Sequence, residues 1–166
     1  FEGICNQLRL YQAALRTCFT LENFDNLIKF LRLINSPDGL NIGMRNISVS
    51  TCGLADRIEE LARLKLGVTL SISLHAPENE LRRRFMPVAN KYPLERLMEA
   101  AKYYIHETGR RGIFEYILLN GVNDSREHAR ALKRLLKGMQ CHVNLIRMND
   151  VSERELKGSS PKAAQA

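Results

Sequence analysis

Two periods of apolar and polar residues alternate along this chain, and together they predict a β-α sequence of elements. After Asn23, a candidate helix cap, Leu27, Ile28, Leu31 and Ile34 recur at the spacing of one helix face until "NSPDG", with Pro37 and Gly39, imposes a turn. "NISVSTCG" then alternates Ile47 and Val49 with Asn46, Ser48 and Ser50, a half-polar strand closing at Gly53. Ile58, Leu61, Ala62 and Leu64 predict a helix ending near Gly67. "VTLSISLHAPENELRRRF" follows, with Val68, Leu70, Ile72 and Leu74 on one face and Thr69, Ser71, Ser73 and His75 on the other.

Glu78 to Phe85 predicts a short charged helix, and Pro93 sits at the first turn of another carrying Leu94, Leu97, Met98, Ala101, Tyr104 and Ile105 on one face, with Gly109 as its C-cap. "GIFEYILLNG" (112–121) reads as a buried strand. Asp124 to Glu127 has capping-box form and opens a helix with Ala131, Leu132, Leu135 and Leu136 that stops at Gly138, before a last strand, "HVNLIRMN". Repeated β-α units with short connections predict a parallel α/β sheet with right-handed crossovers. Residues 152–166 show no apolar period and read as a frayed tail or the cut start of another element.

The polar strand faces decide between architectures. A doubly wound sheet is covered on both faces, so its central strands are almost continuously apolar, and two of these strands are not. A partial barrel instead turns one face to the outer helices and the other to a lumen. There the small hydroxylated side chains of Ser48, Ser50, Thr69, Ser71 and Ser73 leave room and hydrogen-bonding capacity for a polar ligand. His75 falls at the carboxyl end of its strand, where parallel α/β folds bind ligands, yet spacing alone favours a histidine bonded to a neighbouring loop. Glu115 interrupts an apolar strand and needs partners or a shifted pKa, which makes it a candidate organiser of the lumen. Arg82, Arg83 and Arg84 read as a solvated helix face that Glu78 and Glu80 can pair with. Arg126, Arg130, Lys133, Arg134 and Lys137 form a stripe that reads as the outer face of a barrel helix, with phosphate contact as the alternative. No acid, base or nucleophile constellation emerges from spacing.

Composition adds little. The formal charge of +7 over 166 residues points only weakly to a nucleic-acid partner. Cys5, Cys18, Cys52 and Cys141 are separated by 12, 33 and 88 residues, so no metal-like spacing exists and reduced thiols are expected. No apolar run reaches membrane-span length, and the expected location is the cytoplasm.

The blocks "NIGMRNISVSTCGL", "VTLSISLHAPENELRRRFMPVANKYPLERLMEA", "FEYILLNGVNDSREHARAL" and "HVNLIRMN" closely resemble the middle and later part of the RlmN and Cfr family, radical S-adenosylmethionine (SAM) methyltransferases of large-subunit ribosomal RNA. The resemblance runs from about Leu21 to Ser160 and implies an incomplete (β/α) barrel of parallel strands with SAM in its lumen. It divides the chain into an unmatched segment 1–20, a partial barrel 21–151 and a tail 152–166. By position in the family motifs it implies SAM contacts at Ser50, Ser73, Leu74, His75 and Asn149.

Family chemistry further implies a [4Fe-4S] cluster on a CxxxCxxC motif and a methyl-carrying Cys near the C-terminus, which together deliver a methyl carbon to C2 of adenine. Ribosomal RNA, with transfer RNA as a second candidate, is the implied partner. The chain departs from that pattern in several places. It has no CxxxCxxC, and the family's methyl-carrying Cys matches no position of this chain. Cys18-Phe19-Thr20-Leu21 stands where the family has Gly-Glu-Pro-Leu, and Arg147 and Asp150 replace prolines around Asn149. The expectation is therefore a fragment inactive by itself, arising from a frameshift, fusion or truncation. A noncatalytic basic RNA-binding or assembly module, or a degenerate product without independent function, are the alternatives.

Overall fold

The computed structural model describes residues 21–147. A 3-10 turn, Leu21–Asn23, leads into α1 (Phe24–Asn35), and β1 (Ser48–Thr51), α2 (Ala55–Arg63) and β2 (Thr69–Ser73) follow. Next come α3 (Asn79–Phe85), α4 (Leu94–Thr108), β3 (Gly112–Leu118), α5 (Arg126–Leu135) and β4 (Cys141–Arg147). Asn149, the tail and the first 20 residues, with Cys5 and Cys18, lie outside the described residues.

The four strands form one parallel sheet in the order β1-β2-β3-β4. Sequential order has a direct consequence. Each right-handed crossover returns on the same side, so the helices collect on one face, whereas a doubly wound sheet reverses its order and covers both. The apolar face expected from Val68, Leu70, Ile72 and Leu74 is that covered side, each at most 1% exposed. These side chains share a core with Val49, Phe114, Leu31, Ile58, Leu61, Leu97 and Tyr104. Among the described residues the fold is a singly wound part of a (β/α) barrel, with β1 and β4 at its edges.

Local chemistry explains most element boundaries. Gly109 adopts a left-handed φ of 62° and ends α4 as its C-cap. Pro93 is the residue before α4 rather than in its first turn, and the orphan Leu94 N–H is taken by the Asn79 side chain at 2.7 Å. Asp124 does not cap α5. Its carboxylate accepts from Gly121 N–H at 2.9 Å, and Ser125, one residue on, accepts from His128 N–H at 3.3 Å. Asn23 makes no capping bond to the α1 backbone, its oxygen being taken by Asn26 Nδ2 at 2.8 Å. β3 stops at Leu118, short of Gly121, because Leu119 N–H turns to the Asn123 side chain at 2.8 Å. Leu64, expected on the apolar face, lies past the end of α2 and is 37% exposed.

Arg82 is the largest departure from expectation. It is 0% exposed, while Arg83 and Arg84 do face solvent. Helical geometry brings Arg82 beside Leu81 and Phe85, which bury α3 against Ala76, Met86 and Leu119 at the carboxyl end of the sheet. No helix among the described residues is long and apolar enough to cross a membrane.

Gly53, just past β1, has φ of 109°, and an added Cβ would lie 2.9 Å from Arg82 Nη2 and 3.2 Å from the Leu97 methyls. Gly53→Ala is expected to cost about 1–3 kcal/mol through backbone strain and overpacking. A urea titration reads this as a lower midpoint at unchanged slope, and wild-type stability would refute the tight fit.

Candidate functional site

The face of the sheet opposite that core is polar along β1 and β2 and mixed along β3 and β4, where Ile113, Ile117 and Ile146 share it by register. Ser48, Ser50, Ser71, Ser73, Glu115, His142 and Asn144 lie on it, placed by strand alternation and by the pairing Ser50 with Ser71, Ser73 with Glu115, and Glu115 with Asn144. The Glu115 carboxylate accepts from Ser71 Oγ at 2.9 Å and from Asn144 Nδ2 at 2.8 Å. These two bonds tie β2, β3 and β4 together from the open side. The Thr69 hydroxyl accepts from Arg110 at 3.0 Å at the amino end of the strand, so it does not serve the carboxyl-end site. Ser50 is exposed and Ser73 half-buried at the carboxyl halves of β1 and β2.

His75 sits just beyond β2, where the chain makes a tight turn. Ala76 N–H donates to Leu74 O at 2.8 Å, the three-residue closure of a γ-turn, and His75 takes a φ of 58° at its centre. A left-handed histidine costs on the order of 1 kcal/mol, so its surroundings must hold it. Leu74 and His75 N–H both donate to Glu115 O, at 3.0 and 3.3 Å, and the Asn123 amide donates to His75 O at 2.8 Å. Ile117 N–H donates to His75 Nδ1 at 3.3 Å, which leaves the imidazole hydrogen on Nε2. The ring is 6% exposed, and burial first, then the Arg82 charge, pulls its pKa down to about 4. It is a neutral imidazole at pH 7 and a poor proton shuttle there.

Two residues that periodicity did not single out build this turn. Asn123 is 2% exposed and fully bonded, since its amide also donates to Ile117 O at 2.7 Å while its oxygen accepts from Leu119 N–H. Arg82 donates from Nε to Leu74 O at 3.2 Å and from Nη2 to Cys52 O at 2.7 Å and Ser73 O at 3.3 Å. Its Nη1 is buried without a partner, and burial lowers the guanidinium to about 10, still cationic at pH 7. The available signal for Arg82 was its place beside Leu81 and Phe85 on a seven-residue helix.

Ser50, Ser73, Leu74 and His75 thus lie on adjoining strand ends, with the Leu74 side chain in the core. The surface presents the Ser50 and Ser73 hydroxyls, without a nucleophile paired to a base, while the carbonyls of Cys52, Ser73, Leu74 and His75 and the Glu115 carboxylate already accept hydrogen bonds within the chain. Among the described residues no three His, Cys, Asp or Glu side chains form a metal-binding group. The sequence contains no CxxxCxxC of the kind that holds an iron–sulfur cluster, and the cysteines among the described residues are Cys52 and Cys141.

Neutral burial of His75 has a pH signature. Between pH 6.5 and about 4 the unfolded chain binds a proton that the folded chain excludes, so stability falls on acidification, by up to on the order of 3 kcal/mol. His75→Asn keeps a side-chain acceptor and tolerates positive φ. Urea titrations from pH 7 to 4 are expected to show a shallower loss in this variant, and identical slopes would overturn the assignment.

No protein-family model matches the chain. It is similar to probable dual-specificity RNA methyltransferases RlmN of Clostridium novyi, 55% identical over 142 residues, and Lachnospira eligens, 53% identical over 146 residues. These alignments cover 86% and 88% of this chain but 41% and 42% of those proteins. The chain therefore spans about two fifths of the length of the curated relatives it matches. Among solved structures, a radical SAM methyltransferase from Sphaerobacter thermophilus superposes with a TM-score of 0.83 at 41% identity, over 87% of this chain and 42% of that one. A domain of the pyruvate-formate lyase-activating enzyme from Bacteroides vulgatus, 18% identical over 87% of this chain and 83% of that one, shares the fold with a TM-score of 0.61. By sequence and by fold, the matched part of this chain belongs to the RlmN family of radical SAM methyltransferases.

Proposed function

We propose that this chain is the SAM-cradling segment of an RNA methyltransferase, and that it binds SAM without cleaving it. The observation that carries this reading is the open polar face, with Ser50, Ser73 and the Leu74–His75 turn side by side at the carboxyl ends of β1 and β2. Parallel α/β sheets bind ligands at that end, and SAM presents hydroxyl, ammonium and adenine groups suited to hydroxyl and carbonyl partners. In the whole protein SAM supplies a methyl group and, when reduced, a radical; the substrate we assign is C2 of an adenine in large-subunit ribosomal RNA, with transfer RNA as a second substrate. Asn149, beyond the described residues, is assigned to the same cradle from its place in the family motif.

Calorimetry on the purified chain is expected to show saturable SAM binding that weakens about fivefold in Ser73→Ala, the worth of one hydrogen bond. A folded chain without SAM binding would reject the reading. After anaerobic treatment with iron and sulfide the chain is expected to yield no 5′-deoxyadenosine, and its formation would overturn the assignment of SAM cleavage to residues outside this chain.

The exposed stripe on α5 favours a second reading, an RNA-contacting surface. Arg126, Arg130, Lys133, Arg134 and Lys137 are all exposed, and four of them rim a groove of about 1090 Å³ against β3 and β4. RNA affinity is expected to fall with salt, and replacing Arg126, Arg130 and Lys133 by Ala is expected to flatten the log–log slope by roughly 2. An unchanged slope would remove α5 from the contact.

A further inference from the structure

The polar groups that shape the His75 turn converge on one side chain that no SAM contact accounts for. Arg82 is 0% exposed and bonds three carbonyls, those of Cys52 after β1 and of Ser73 and Leu74 at the end of β2. None of the described ion pairs involves it. A guanidinium buried without a carboxylate is costly, and three carbonyl dipoles offset only part of that cost. Packing alone does not call for a cation here, since Leu81, Phe85 and Met86 around it are apolar.

We propose that Arg82 is the positioning residue of the cofactor cradle: its planar fork, bonded to Cys52 O, Ser73 O and Leu74 O, locks the ends of β1 and β2 at a fixed separation. The inference rests on the SAM reading for its functional consequence and on geometry for its structural one.

Three features support the fork geometry. Nε and Nη2 reach carbonyls on two different strands at once, which a single ammonium cannot reproduce. Leu74 O accepts both from Arg82 Nε and from Ala76 N–H, so the clamp and the γ-turn share an atom. Gly53 leaves the space that Nη2 occupies, a Cβ there lying 2.9 Å away. Ser50, two residues before Cys52, and Ser73 are carried on the clamped segments. The groups facing the imidazole are Arg82, the Ile117 N–H donor and, through the carbonyl of the same residue, Asn123. Burial lowers the pKa of the ring first and the Arg82 charge second.

The test pairs Arg82→Met with Arg82→Lys in the full chain, reading the His75 imidazole titration by NMR and SAM affinity by calorimetry. Removing the charge is expected to raise the His75 midpoint from about 4 in Arg82→Met and leave it low in Arg82→Lys. SAM affinity is expected to fall at least tenfold in both, because both lose the fork. A role in packing alone would move stability in both variants without separating their His75 titrations. Wild-type SAM affinity in folded Arg82→Met or in Arg82→Lys overturns the proposal. Should Arg82→Met fail to fold, Arg82→Lys decides: SAM binding weakened at least tenfold supports the clamp, and undiminished binding overturns it. A wild-type chain that does not bind SAM removes the cofactor reading, and the His75 titration then tests the positioning of the turn by itself.

Discussion

Right-handed crossovers between neighbouring parallel strands are the constraint on which this structure depends. Because the sheet order follows the chain, the crossover helices among the described residues return on one side, while α3 packs over the carboxyl end of the sheet, where Ile117 of the other face joins its cluster. The first two strands are therefore asked for two chemistries in alternation. Val49, Leu70, Ile72 and Phe114 belong to the core, while Ser50, Ser71, Ser73 and Glu115 lie on the other face. A carboxylate on that side is tolerated because Ser71 and Asn144 satisfy it from both neighbouring strands.

Where the strands end, polar groups take over the work that apolar side chains do lower in the sheet. Arg82 collects carbonyls of β1 and β2, Asn123 fastens the turn to the loop after β3, and Tyr116 donates to Asn123 O at 2.9 Å. Buried polar groups of this kind cost more to assemble than an apolar plug, and they specify geometry in return. The strained His75 φ lies at their centre, consistent with strain held by its surroundings.

Periodicity made most of the fold legible. The alternation from Val68 to His75 separated the core face from the open face, and the spacing of Leu27 to Ile34 located α1. Glu115 was legible as a group needing partners, though its partners sit 29 and 44 residues away and belong to tertiary register. Arg82 was hidden because a run of three arginines on a short helix resembles a solvated face, and its burial depends on how α3 packs over the strand ends. Asn123 looked like an ordinary turn residue. A two-state choice between Asp124 and Ser125 as helix cap differs by one residue, which pattern reading does not resolve.

Contact between Gly53 and Arg82 ties the histories of two positions 29 apart in sequence. A side chain at Gly53 is opposed by its φ, by the guanidinium and by the Leu97 methyls, and shortening Arg82 lifts only one of the three. Substitutions at the two sites are therefore epistatic: the order in which they arise decides whether a lineage passes through a crowded intermediate or a merely strained one. Loss of the arginine first relieves part of the crowding at position 53, and a methyl placed there then makes regaining the arginine costlier.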